Sequence, residues 1–119
     1  MKRSMTLAKP VWGIGKHVVI TGGSSGIGLE VAKRLNGTCR KITLIARNES
    51  GKLAEAKDIL LHLQKSRRFG IRTEIGTCAM DVRNIEAAQA WIGDVYAGGN
   101  DQIDIFVSSA GGSHVYGTL

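Results

Sequence analysis

Residues 17–28 read HVVITGGSSGIG. A short β-branched run stops abruptly at glycine, and an amphipathic segment begins a few residues later. The pattern predicts a buried strand over His17–Thr21, a tight turn, and a helix over 25–35. Gly22, Gly26 and Gly28 give G-x-x-x-G-x-G between the two. In that setting the first glycine permits the turn. The second lets the backbone approach a pyrophosphate, and the third lets the helix pack against the sheet. A helix start offers free N–H groups and partial positive charge to phosphates. Ser24 and Ser25 add hydroxyl donors. The competing reading is a glycine-rich loop that holds no ligand.

Working outward, Ile27, Val31 and Leu35 fall on one face of the first helix, with Glu30, Lys33 and Arg34 off it. Asn36-Gly37 is a stop signal. Lys41–Ala46 (KITLIA) reads as a second buried strand. A longer helix follows over 51–68, with Leu53, Ala56, Leu60 and Leu63 as its stripe, widened by Ile59. Residues 71–80 alternate as a third strand. Asn84 can cap a third helix carrying Ile85, Ala88 and Ile92. Residues 103–108 (IDIFVS) form a fourth strand. Strands alternating with helices over short connections imply a parallel sheet with right-handed crossovers. The expected fold is α/β: a Rossmann-type doubly wound sheet truncated to four strands, in the order 3-2-1-4. Residues 1–16 are expected to be a basic flexible arm and 17–119 the domain.

The totals narrow the function. At 119 residues the chain is one domain. Its net charge of +6 is unevenly placed: Lys2, Arg3, Lys9 and Lys16 stand in the first 16 residues with no acid among them. A second basic group is Lys65, Arg67, Arg68 and Arg72. Both read as solvated surface, with an anionic membrane or nucleic acid as the other reading. Aromatic residues make up only 5% of the chain, which argues against a base-stacking module, so no nucleic-acid partner is expected. No stretch is long and apolar enough to span a membrane. The N-terminus lacks the continuous apolar core of a secretory signal. Cys39 and Cys78 are expected as free thiols. His17, His62 and His114 share no metal-ligand spacing, and no metal is assigned.

The end of the second strand usually decides which dinucleotide binds. An acid there would bond the ribose 2′-hydroxyl, but Arg47 stands in its place. A guanidinium pairs bidentately with a 2′-phosphate, which favours NADP(H). Ser24 or Ser25 and Lys52 could share that phosphate. The plainer reading of Arg47 is a solvated surface cation. Asp81 ends the third strand and could accept from an adenine amino group, with Val82 covering the ring. It could equally be an acid that opens the next helix. Ser108, Ser109, Ala110 and Gly111 end the fourth strand, and small residues there let the backbone approach a ribose.

Together, TGGSSGIG at 21–28, Arg47, Asp81-Val82 and SSAG at 108–111 resemble the short-chain dehydrogenase/reductase family. The likeness runs over roughly residues 16–118. Within the family, VVITGGSSGIG and ITLIARNESGKLAEAK resemble the branch that reduces the keto group of sphingoid bases with NADPH. That branch works at the cytosolic face of the endoplasmic reticulum. The resemblance implies a cytoplasmic oxidoreductase with a nicotinamide dinucleotide as its partner. The family's fourth-strand motif is usually Asn-Asn-Ala-Gly, or Asn-Cys-Ala-Gly. Serine at both polar positions here cannot form the same two-sided amide bridge between strands.

The family's catalytic serine and Tyr-x-x-x-Lys have no counterpart. Tyr96 is followed four residues later by Asn100, and Tyr116 by only three further residues. No catalytic residue is assigned. The chain is expected to be a fragment, inactive alone, with an open apolar edge on strand four. An alternative is an inactive nucleotide-binding or regulatory module that dimerises with a longer relative through that edge. A methyltransferase is a further alternative, against which Arg47 argues, because adenosyl-methionine's ribose wants an acid there.

Overall fold

The computed structural model describes residues 13–24, 26–47, 51–66, 70–81, 83–97 and 102–109. Seven elements alternate: β1 (His17–Thr21), α1 (Gly26–Leu35), β2 (Lys41–Ala46), α2 (Lys52–Lys65), β3 (Glu74–Ala79), α3 (Ile85–Ala97) and β4 (Ile105–Ser108). The strands form one sheet in the order β3-β2-β1-β4. Every pairing is parallel, with Val18 opposite both Ile42 and Ile105, and Ile42 opposite Ile75. The expected α/β sheet and its 3-2-1-4 order are therefore present.

Alternation along the strands assigns the two faces. Val18, Ile20, Ile42, Leu44 and Ile75 point to one side, where they pack with Ala32, Leu35, Leu53, Ala56 and Leu60 of α1 and α2. Burying each large aliphatic side chain there contributes roughly 1.5–3 kcal/mol. The other face meets only α3 among the described residues, and none of the α3 side chains described is fully buried. A cavity of about 250 Å³ lies under it, lined by residues that include Ala88, Trp91 and Ile92 of α3 and Thr21, Ile45 and Phe106 of the sheet. On that face His17 is buried between strands. The carbonyl of Gln102 can only accept, so Nδ1 of His17 donates to it (3.2 Å), and Nε2 shares a hydrogen bond with the Thr43 hydroxyl (2.7 Å).

Several expectations need correction. The buried face of α1 is Gly28, Ala32 and Leu35, whereas Ile27 is 76% exposed. Close approach of Gly28 to the glycine turn puts Gly28 and Ala32 inward, with Leu35 buried and Val31 packed against the core as expected. In α2, Ile59 is exposed and does not widen the stripe. In α3, Ile85 is exposed, while Ala88 and Ile92 line the cavity as members of the expected stripe, joined by Trp91. β3 starts at Glu74 rather than at 71, because residues 71–73 bond elsewhere. Ile71 N–H donates to the Gly37 carbonyl (3.0 Å), and the Thr73 hydroxyl donates to the Cys39 carbonyl (2.7 Å). β4 starts at Ile105 rather than 103. Just before it, Asp104 takes the His17 N–H on its carboxylate (2.9 Å). α2 ends at Lys65, with Gly51 as its N-cap and Ser66 as its C-cap; Arg67 and Arg68 lie outside the described residues.

A buried polar knot joins α1, α2 and the approach to β3. Asn36 is fully buried; its Nδ2 donates to the Leu60 carbonyl (2.8 Å) and its Oδ1 accepts from Gln64 (2.8 Å). Gln64 Nε2 also donates to the Thr73 carbonyl (2.7 Å). The knot supplies partners for groups that water cannot reach. Cys39 is buried beside it, which pushes its thiol up to about 11. Cys78 is raised for the same reason, and both cysteines are free.

Candidate functional site

Because all strands are parallel, their carboxyl ends share one edge, and open α/β sheets hold ligands there. β1 delivers the glycine turn to this edge. Gly22 adopts φ 70° and its N–H donates to the Ile45 carbonyl (2.8 Å), which anchors the turn to β2. A β-carbon on Gly28 would run into the Gly22 carbonyl and stand 2.6 Å from Ser109 Oγ. The third glycine therefore seats the helix on the turn, as its spacing suggests. Gly26 differs: a β-carbon there would meet nothing within 4 Å, yet its φ is 58°. Among the described residues, packing therefore leaves room beside the Gly26 α-carbon at the start of the helix.

The first turn of α1 contains no acidic residue. Its partial positive charge is unopposed there, which suits a pyrophosphate. Ile27 stands exposed beside it. Ser24 is half-buried in the turn. Ser25, Val82, Ala110 and Gly111 lie outside the described residues.

Ser109 closes the site from β4. Its hydroxyl donates to the Thr21 carbonyl (2.6 Å), and its N–H reaches the same oxygen (3.2 Å). One hydroxyl thus fastens β4 to the root of the glycine turn and packs against Gly28. It does from one side what an amide would do from two. The sequence marks Ser109 as a small residue at a polar position of the fourth-strand motif; its role as a clamp appears once Gly28 and Thr21 are adjacent.

Arg47 follows β2 directly and is exposed, and Lys52 opens α2 as an exposed cation. Asp81 lies just past β3, and its carboxylate is engaged. Arg83 donates to it through Nε (3.1 Å), Nη2 (2.9 Å) and its own backbone N–H (3.0 Å). These bonds to Arg83 hold the carboxyl at about 2, and the Arg47 charge adds to the effect. Asp81 and Arg47 are thus brought close enough to interact. The Asp81 carbonyl also accepts the Asn84 N–H (2.9 Å), and Asn84 Oδ1 caps α3 through the Ala87 N–H (3.1 Å). Asp81 therefore shapes the opening of α3, whatever else it meets. Arg83 escaped the sequence reading, although Asp followed two residues later by an N–H donor is a legible turn signal.

A pH effect follows from this pair. The folded pKa of Asp81 lies below its unfolded value of about 3.9, so its stabilising contribution is present above about pH 4 and is lost as pH falls toward 2. In Arg83→Ala, a carboxyl-detected NMR titration should find Asp81 returned toward the ordinary carboxylate range. An unchanged titration would mean that Arg83 does not hold it.

No helix among the described residues is long and apolar enough to cross a membrane. Among them no three His, Cys, Asp or Glu side chains gather as a metal site.

A parallel sheet of this order with a glycine turn at its carboxyl edge defines a dinucleotide-binding α/β protein. The profile of the short chain dehydrogenase family matches residues 16–118, and the chain belongs to that family. A nicotinamide dinucleotide is the cofactor that this membership implies. A 3-dehydrosphinganine reductase of Arabidopsis thaliana is 35% identical over 96 residues, covering 81% of this chain and 25% of that protein. The 3-ketodihydrosphingosine reductase of Mus musculus is 37% identical over 108 residues, covering 88% of this chain and 30% of that protein. That of Bos taurus is 36% identical over 106 residues, covering 87% and 30% respectively. The chain thus spans about a quarter to a third of the length of these curated relatives.

Proposed function

We propose that the chain is the cofactor-binding part of an NADP(H)-dependent reductase acting on 3-ketosphingoid bases. The observation that carries the reading is the glycine turn. Gly28 is jammed against Gly22 and Ser109, the described residues leave room beside the Gly26 α-carbon, and Arg47 stands at the end of the neighbouring strand. The substrate class rests on the likeness to the 3-dehydrosphinganine and 3-ketodihydrosphingosine reductases. The same likeness supports a place at the cytosolic face of the endoplasmic reticulum.

In this reading the backbone of Gly22, Gly26 and Ile27, with the Ser24 and Ser25 hydroxyls, holds the pyrophosphate. Arg47 and Lys52 take the 2′-phosphate. Asp81, kept ionised by Arg83, can only accept, which suits an adenine amino group, with Val82 over the ring. Ala110 and Gly111 border the ribose. NADPH, when bound, supplies the hydride. The 119 residues contain no Tyr-x-x-x-Lys, so they bind the dinucleotide without reducing a ketone.

The test is calorimetric titration with NADP+ and NAD+. Losing a charge-assisted contact costs about 1.5–3 kcal/mol, so Arg47→Ala should weaken NADP+ roughly 10- to 100-fold and leave NAD+ nearly unchanged. Equal affinity of the wild type for both would remove the NADP assignment. A second reading is association with a longer relative through β4, which pairs only with β1 among the described residues and exposes Phe106 by 38%. Co-elution with such a relative in size-exclusion chromatography would support it.

A further inference from the structure

The opposite edge of the sheet carries a different chemistry. The amino ends of the parallel strands gather there, as do the carboxyl ends of α1, α2 and α3. Lys16 immediately precedes β1, Arg40 and Lys41 open β2, Arg72 approaches β3, and Arg34 and Lys65 close α1 and α2. Among the described residues three acids share the edge: Asp94 stands exposed in the last turn of α3, and the other two are engaged. Glu74 pairs with Lys41 (3.5 Å), and Asp104 accepts the His17 N–H (2.9 Å). The uneven charge of the sequence thus becomes a spatial polarity, with a cationic end opposite the glycine turn. Cations at helix ends complement the helix dipoles, but Lys16, Arg40 and Arg72 lie on loops, where that explanation does not apply.

Two isoleucines project from the same edge. Ile14 is 61% exposed and Ile71 is 51% exposed. Their loops hang from one turn. Gly15 N–H donates to the Thr38 carbonyl (3.3 Å) and Ile71 N–H to the Gly37 carbonyl (3.0 Å). The two loops that carry the apolar tips are thus bonded to one turn, and Lys16, Arg40 and Arg72 lie within two residues of these bonds and tips along the chain. Nucleic acid would favour aromatic platforms beside the cations, and among the described residues the exposed apolar tips here are aliphatic. Aliphatic tips among cations suit the headgroup layer of a bilayer, where apolar groups enter and cations meet anionic lipid.

We infer that this edge, with Ile14 and Ile71 at its tips and Lys16, Arg40 and Arg72 close by, docks on an anionic membrane surface. The inference stands on the fold and not on the cofactor or substrate assigned above. Docked this way, the domain turns its dinucleotide edge toward the aqueous side.

The experiment is flotation of the full 119-residue chain with phosphatidylcholine vesicles, with and without about one-third phosphatidylserine, at roughly 0.1 M and 0.5 M salt. The wild type should float with the anionic vesicles only, and less at high salt. Each cation near such a surface strengthens binding by roughly fivefold, so Lys16→Glu/Arg72→Glu should weaken it by at least about tenfold. Ile14→Ser/Ile71→Ser should weaken it several-fold with an unchanged circular dichroism spectrum. Lys52→Glu/Lys57→Glu, with the same change in net charge away from this edge, should retain most of it. Three results would overturn the inference: no preference for anionic vesicles, equal losses from the two charge-reversal pairs, or tighter binding to a DNA duplex than to the vesicles at equal salt.

Discussion

Gly28→Ala is expected to destabilise the fold by roughly 1–3 kcal/mol, the usual cost of overpacking, and to weaken dinucleotide binding at least tenfold. The added β-carbon would collide with the Gly22 carbonyl and stand 2.6 Å from Ser109 Oγ. Neither neighbour can yield cheaply. Gly22 is held by its bond to the Ile45 carbonyl (2.8 Å), and Ser109 by its hydroxyl bond to the Thr21 carbonyl (2.6 Å). The helix must lift instead, and it carries the Gly26 and Ile27 amides with it. Urea unfolding and NADP+ titration of the same variant check both halves. Native stability with native affinity would mean that α1 does not sit where the turn holds it.

Asn36→Ala should have an effect of similar size with a different signature. Its side chain is fully buried and bonds both the Leu60 carbonyl and Gln64. Truncation removes both bonds and leaves buried polar groups short of a partner, at about 1–3 kcal/mol in all, although Gln64 keeps its bond to the Thr73 carbonyl. The loss falls at the end of the sheet opposite the glycine turn. Urea unfolding should therefore show a large drop in midpoint, while NADP+ affinity, measured well below that midpoint, stays native. A cost under about 0.5 kcal/mol would mean that water satisfies the knot.

The contrast between these two positions explains what was legible in the sequence. HVVITGGSSGIG carries its own local logic: strand, turn and helix start are set within twelve residues by side-chain shape and glycine spacing. The strand order followed from alternation and the handedness of crossovers. Arg47 could be placed because it directly follows a recognisable strand. Asn36-Gly37, by contrast, reads only as a helix stop. Its service to α2 and to the approach of β3 depends on contacts 24 and 28 residues away. In α1, Val31 and Leu35 pack on the core as their spacing predicts, whereas Ile27 does not, because the inward place beside it belongs to Gly28, which has no side chain for periodicity to see. The third strand was drawn too long because Ile71 and Thr73 alternate correctly but spend their bonds on the α1–β2 turn. Charge was legible as a total and opaque as a pattern, since only the parallel topology gathers Lys16, Arg40, Lys65 and Arg72 at one edge.

The most direct test of the account is amide chemical-shift mapping of the chain titrated with NADP+. The backbone signals of Gly22, Ser24, Gly26, Ile27 and Arg47 should move together with a single saturation curve, while those of Gly37, Thr38 and Ile71 at the opposite edge stay fixed. Shifts confined to the opposite edge, or none at the glycine turn under saturating NADP+, would contradict the assignment of this turn as the dinucleotide site.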